Sequence, residues 1–176
     1  MLLKDKVALI TGSGRGIGAA AAMLFAAHGA KVVVTDIDPN PANEVADAIR
    51  AKGGTALALG ADVTKDADIA EMIGQTVKTF GGIDILITNA GGPTPGSVDS
   101  LDEAAWQKGI DLCLMAHVRL IKSALPYLRK SDSASILTVT SLSVKQPIAN
   151  LLISNSVRAG TIGLTKSLAL ELGKEN

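Results

Sequence analysis

Glycines at positions 12, 16 and 18 of the stretch Thr11-Gly12-Ser13-Gly14-Arg15-Gly16-Ile17-Gly18 lie directly behind the apolar run Val7-Ala8-Leu9-Ile10. A buried strand that ends in small residues and turns straight into a helix directs backbone N–H groups outward at a positive helix end. That end is a seat for a pyrophosphate. The spacing is T-G-x-x-x-G-x-G and not G-x-G-x-x-G, because Ile17 stands where the latter needs its third glycine. Asp36 closes a second apolar run, Lys31-Val32-Val33-Val34-Thr35, 18 residues after Gly18. A carboxylate there can accept hydrogen bonds from the adenosine ribose hydroxyls and repel a 2′-phosphate. The ligand implied is NAD; NADP is disfavoured, although Arg15 is basic. The plainer alternative is a glycine-rich strand-to-helix turn that binds nothing.

The elements that must position these residues follow from periodicity. Strand-like runs recur at Lys6–Thr11, Lys31–Asp36, Thr55–Gly60, Ile83–Thr88 and Ser135–Thr140. Between them lie stretches with helical spacing of apolar residues, at Gly16–His28, Pro41–Lys52, Asp66–Phe80, Leu101–Leu128 and Leu152–Leu172. Strict alternation of the two predicts an α/β fold, a doubly wound parallel sheet with helices on both faces. Gly29, Gly53 and Gly81 sit where left-handed helix caps are expected. Two loops, Gly91–Gly96 and Ser141 to about Asn150, leave the carboxyl ends of strands four and five, the edge at which open α/β sheets bind ligands.

Composition narrows the function classes. The 176 residues suit one domain. With 47% apolar but only 2% aromatic residues, the core is built from Ala, Val, Leu and Ile, as buried parallel sheets are. Seventeen basic residues balance seventeen acidic ones without a basic cluster, which argues against nucleic acid. No uncharged apolar run approaches a membrane span, and strand residues begin too early for a signal peptide. A single cysteine, Cys113, excludes an intrachain disulfide and reads as a buried, inert thiol. A soluble cytoplasmic protein is expected, with no metal site.

From Lys6 to about Gly173 the chain resembles the short-chain dehydrogenase/reductase family, and within it the bacterial 3-oxoacyl-carrier-protein reductases. Besides the glycine octet, Asp62-Val63 matches the family's Asp-Val pair, whose acid meets the adenine amino group. Thr88-Asn89-Ala90-Gly91 matches N-N-A-G with Thr88 in the first place. The resemblance implies a Rossmann-type dinucleotide site made by Gly12, Ser13, Arg15, Gly16, Ile17, Gly18, Asp36, Ile37, Asp62, Val63, Asn89, Ala90 and Gly91. It also implies hydride transfer between a nicotinamide and a small-molecule carbonyl or secondary alcohol. Family members assemble as dimers or tetramers, here through helices 101–128 and 152–172. They also continue beyond this chain's last helix, so residues 1–176 are expected to be a single Rossmann domain that is incomplete at its C-terminus.

The catalytic positions depart from the family's Asn, Ser and Tyr-x-x-x-Lys. Ser141 is kept, but thirteen residues on stands Ser154 and four further Arg158, while the Asn position is assigned to Asp111. A serine hydroxyl is far less acidic than a phenol. Arg158 stays charged, so it can hold the nicotinamide ribose but cannot pass on a proton. The paired changes lead to the expectation of an ion pair between Asp111 and Arg158. Tyr127 reads as packing and His117 as a satisfied helix histidine. The alternatives to an active oxidoreductase are a nucleotide-binding subunit without turnover and a purely structural subunit.

Overall fold

The computed structural model describes residues 1–175. The apolar runs pair as five parallel strands, β1 (Val7–Ile10), β2 (Lys31–Asp36), β3 (Thr55–Gly60), β4 (Ile85–Thr88) and β5 (Ser135–Thr138), in the order β3-β2-β1-β4-β5. The first three strands step outward one way and the last two the other, so the chain reverses direction between β1 and β4. At such a switch point the two neighbouring crossovers part, and a crevice opens beyond the strands' carboxyl ends.

Both central strands are buried throughout, and their alternate residues feed two cores. Ala8, Ile10, Val32, Val34, Ile85 and Ile87 face α1 (Gly16–Ala27) and α2 (Pro39–Ala51), whose Ala19, Ala22, Ala42 and Ala46 let the helices come close. Leu9, Val33 and Leu86 face α3 (Asp66–Phe80) and α5 (Ala116–Leu128) through Ile69, Met72, Leu120 and Leu128. Each such fully buried Leu or Ile contributes roughly 1.5–3 kcal/mol of burial free energy.

The 101–128 helix is not continuous. It comprises α4 (Glu103–Ile110), capped by Asp102 accepting from the Ala105 N–H (2.8 Å), then a π-helical segment Asp111–Met115, then α5. The π turn inserts extra backbone per turn and so changes which residues share a face. α2 begins at Pro39, two residues before the expected Pro41, because Asp38 accepts from the Asn40 N–H (3.0 Å) and proline suits a first turn. α6 (Leu152–Leu172) has the bounds read from the sequence. Gly29, Gly53 and Gly81 all have positive φ behind α1, α2 and α3. Among the described residues no helix is long and apolar enough to cross a membrane.

Candidate active site

The crevice between β1 and β4 is laced by side chains of the motif residues. The Thr11 hydroxyl donates to the Asn89 carbonyl (2.7 Å) and accepts from the Asn89 N–H (2.9 Å), while the Asn89 amide donates to the Gly12 carbonyl (2.9 Å). Gly12 has φ +56°, and a Cβ there would lie 2.9 Å from Asn89, so this packing admits no side chain. Gly16 also has a positive φ, +57°, but a Cβ there would meet nothing within 4 Å, which leaves open space above the loop. α1 starts there with no side-chain cap and no acidic residue in its first turn. Its first N–H groups therefore keep their affinity for an anionic ligand.

Asp36 fastens this loop to β2: its Oδ2 accepts from the Gly14 N–H (3.1 Å), and a Cβ on Gly14 would press on that oxygen at 2.9 Å. Arg15 is exposed and lies 3.5 Å from the Asp38 carboxylate. Ile17 and Ile37 are exposed at 72% and 70%, giving two apolar walls beside the loop. Asp62 follows β3 and accepts from both the N–H (3.0 Å) and the hydroxyl (2.7 Å) of Thr64. Partial burial raises its pKa, but these bonds and Lys65 outweigh that and hold the carboxyl below its usual range. Val63 packs at the edge of the second core. Ala90 and Gly91 continue from Asn89 out of β4.

Ser13 differs from expectation. Its hydroxyl donates to the Ile10 carbonyl (2.6 Å) and accepts from the Thr35 N–H (2.9 Å), and its own N–H bonds the Thr35 carbonyl (2.8 Å). Fully buried, it ties β1 to β2 and has no polar side-chain group to offer a cofactor.

The two loops at the carboxyl ends of β4 and β5 are joined. The Gly96 N–H donates to the Asn150 carbonyl (2.8 Å), and the Leu152 N–H to the Gly96 carbonyl (3.3 Å). An open groove of about 430 Å³ runs between them, past Val98, Pro147, Ile148 and Leu152. At the start of the second loop Ser141 caps a short 3₁₀ turn, Leu142–Val144, by accepting from the Ser143 N–H (3.1 Å). That bond leaves the Ser141 hydroxyl proton free to be donated. Ser154 and Arg158, four apart on α6, are each only 6% exposed. The Ser154 hydroxyl meets the Ser143 hydroxyl at 3.3 Å, and the Arg158 guanidinium donates to the carbonyls of Gly91 (3.0 Å) and Val139 (3.4 Å). α6 can enter this deeply because Gly109 of α4 lies directly under Ile153, with no room for a side chain.

The expected Asp111–Arg158 ion pair does not form. Asp111 leads the π segment, and its carboxylate is taken by Gln107 (3.1 Å) and Arg119 (3.1 Å). The bond from Gln107 and the charge of Arg119 hold its pKa down. The residues of this helix that feel the charge of Arg158 are Cys113 and His117. Burial raises the Cys113 thiol, which stays protonated. Burial, and then Arg158, push the His117 imidazole down to about 4, and its Nδ1 meets the Thr88 hydroxyl at 2.7 Å. His117 is thus a neutral, satisfied core histidine. Tyr127 packs against the second core, as its position suggests. Ser143, the partner of Ser154, is not singled out by any motif, although the Ser-x-Ser repeat at 141 and 143 is a visible signal.

A family model described as short chain dehydrogenase matches residues 6–176. The 7alpha-hydroxysteroid dehydrogenase of Escherichia coli (strain K12) is 34% identical over 174 residues, covering 99% of this chain and 68% of that protein. The 2,5-dichloro-2,5-cyclohexadiene-1,4-diol dehydrogenase LinX of Sphingobium indicum is 38% identical over 169 residues, covering 96% and 68%. A solved 7 alpha-hydroxysteroid dehydrogenase, complexed with NADH and 7-oxo glycochenodeoxycholic acid, superposes with a TM-score of 0.94 at 33% identity, covering 99% of this chain and 68% of that one. These relatives do not single out the 3-oxoacyl-carrier-protein reductases. With its motif residues gathered at one switch point and the match running from residue 6 onward, the chain belongs to the short-chain dehydrogenase family.

Proposed function

We propose that residues 1–176 form one dinucleotide-binding domain of an oxidoreductase that seats NAD in the β1/β4 crevice and acts on a small carbonyl or secondary-alcohol substrate. The observation carrying this reading is the glycine loop at the switch point, held by Asp36 through the Gly14 N–H, above an uncapped α1. The residues fit the group: Gly12, Gly16 and Gly18 receive the pyrophosphate, Asp36 the adenosine ribose, and Asp62 with Val63 the adenine. Asn89, Ala90 and Gly91 flank the nicotinamide side. NAD is preferred over NADP because Asp36 would face a 2′-phosphate, and because the Arg15 cation beside it already lies against Asp38. The NADH held by the solved relative supports the same placement.

When bound, the nicotinamide supplies or accepts the hydride. What this chain must supply is a hold on the substrate oxygen and a proton. Ser141 donates its free hydroxyl proton to that oxygen as a hydrogen bond, while Ser154, relayed to Ser143, forms a buried hydroxyl pair able to exchange a proton with it. Arg158 offers one of its unused N–H groups to the nicotinamide ribose. Asp111, committed to Arg119, is left out of the chemistry. Without a phenol the proton step is slow; a nucleotide-binding subunit without turnover is the second reading, favoured by Ser154 and Arg158 themselves. We further infer a cytoplasmic protein, from its single buried thiol, and a homodimer or homotetramer through α4, α5 and α6. The last of these helices leaves Leu170 77% exposed.

Titration of the protein with NADH and NADPH by nicotinamide fluorescence, followed by oxidation with a panel of ketones, tests the reading. NADH binding with turnover supports it, binding without turnover supports the second reading, and no binding overturns both.

A further inference from the structure

Five arginines occur in the chain, and four lie within 4 Å of a carboxylate: Arg15 with Asp38, Arg50 with Asp47, Arg119 with Asp66 and Asp111, Arg129 with Glu175. The fifth, Arg158, is the most buried, at 6% exposure, and among the described residues it has no acidic partner. A guanidinium cannot shed its proton to escape burial, and the carbonyls of Gly91 and Val139 solvate the charge without neutralising it.

We propose that this site takes a substrate bearing a carboxylate, an oxo acid or hydroxy acid, and that Arg158 is the residue that binds it. The proposal rests on the oxidoreductase reading above and names its substrate class. Arg158 has five N–H donors, of which two serve the carbonyls. Of the remaining three, two match the two oxygens of a carboxylate and one is left for the nicotinamide ribose. Ser154, one helical turn before it, meets Ser143, whose N–H bonds the Ser141 hydroxyl, so the hydroxyls that would hold the reacting oxygen lie at the same loop–helix junction. No neighbour on the π segment or α5 competes for the role of counter-charge: the Cys113 thiol is protonated and His117 is neutral. A ribose hydroxyl is neutral as well and leaves the guanidinium uncompensated. One negative charge balances it, whereas a phosphate dianion would bring an excess into a buried site.

Acetoacetate and its methyl ester differ chiefly in that charge, and their binding is compared by proton NMR of the two histidine rings, with and without NADH. Acetoacetate should bind at least tenfold tighter than the ester. It should also raise the His117 pKa from its value of about 4, because an anion beside Arg158 relieves the repulsion that helps hold it down. The resonances of His28, the C-cap of α1, serve as the internal reference. In Arg158→Met the acid-to-ester ratio should fall to about one, and in Arg158→Lys to an intermediate value. Equal binding of acid and ester to the wild-type protein overturns the proposal, even if neither variant folds. So does an acid preference that survives Arg158→Met. Inorganic phosphate is the control for a cofactor phosphate as the anion; a larger effect on His117 from phosphate than from acetoacetate also overturns the substrate assignment. Failure to bind NADH defeats the oxidoreductase reading alone, since the comparison without NADH still reads Arg158.

Discussion

The two sides of the crevice are built on different principles. On the β1–β2 side the site is backbone: positive-φ glycines, an uncapped helix start and a loop strapped to Asp36 by one N–H. On the β5–α6 side it is side-chain chemistry: three serines and an arginine brought together by the entry of α6 under Ser141. A backbone site tolerates little change where a Cβ would meet the chain itself, as at Gly12, Gly14 and Gly18. A side-chain site can keep its shape while its chemistry is replaced: Ser154 and Arg158 are buried, bonded side chains whose exchange need not move the backbone.

The contrast breaks hardest at Gly18, where a Cβ would run into the Gly12 carbonyl. Gly18→Val should weaken NADH binding by at least ~100-fold, about 3 kcal/mol, measured by nicotinamide fluorescence, with thermal melting as the check on folding. Ser141→Ala, on the other side, should leave NADH affinity within about threefold, since its lost hydroxyl is a single exposed-edge hydrogen bond of ~1 kcal/mol or less. Equal losses from the two variants would refute the division.

The backbone half is legible in the sequence for the same reason that it is intolerant. Glycine spacing, a strand-ending acid and an Asn-Ala-Gly turn are local signals, and β2, β3, α3 and α6 carry the bounds read from the sequence. The other half is legible only in part. Counting along the motif names Ser141, Ser154 and Arg158, whose link through Ser143 the structure supplies; Asp111, matched to the same motif, instead faces Gln107 and Arg119, at the start of a π turn that no local sequence signal announces. The inward residues, Cys113 and His117, do read as core from their apolar neighbours. Ser13 is misplaced for a related reason: a motif names positions, and the burial that turns one hydroxyl into β1 is a tertiary fact.

A charge held in the side-chain half also predicts pH behaviour that the backbone half lacks. His117 has a folded pKa of about 4 against an ordinary 6.5, so the unfolded chain binds the proton more readily. Its contribution to stability is complete above pH 6.5 and is lost as pH falls toward 4, by up to about 3 kcal/mol. Urea unfolding across that window should show the loss in the wild-type protein and a flatter profile in His117→Gln. Asp62 and Asp111, whose carboxyls are lowered, lose their contributions only at more acidic pH. A wild-type profile flat from pH 6.5 to 4 would contradict the buried, neutral imidazole.

Within the backbone half, two charged residues can be set against each other. Asp36→Asn keeps the shape of the side chain and an oxygen for the Gly14 N–H but removes the charge that a 2′-phosphate would meet. The ratio of NADPH to NADH affinity should rise by about tenfold, close to 1.4 kcal/mol. Arg15 gives the smallest effect. Its side chain is 77% exposed and its one ionic contact, with Asp38, is 3.5 Å long; such surface pairs contribute about 0–1 kcal/mol. Arg15→Ala should therefore change NADH affinity by less than about threefold and leave the ratio of NADPH to NADH affinity unchanged. The competing expectation is that Arg15 leaves Asp38 to bind a 2′-phosphate, in which case Arg15→Ala would lower NADPH affinity at least tenfold while sparing NADH. Parallel titrations of the two cofactors separate these outcomes, because the carboxylate acts through repulsion of one phosphate and the arginine could act only through its attraction.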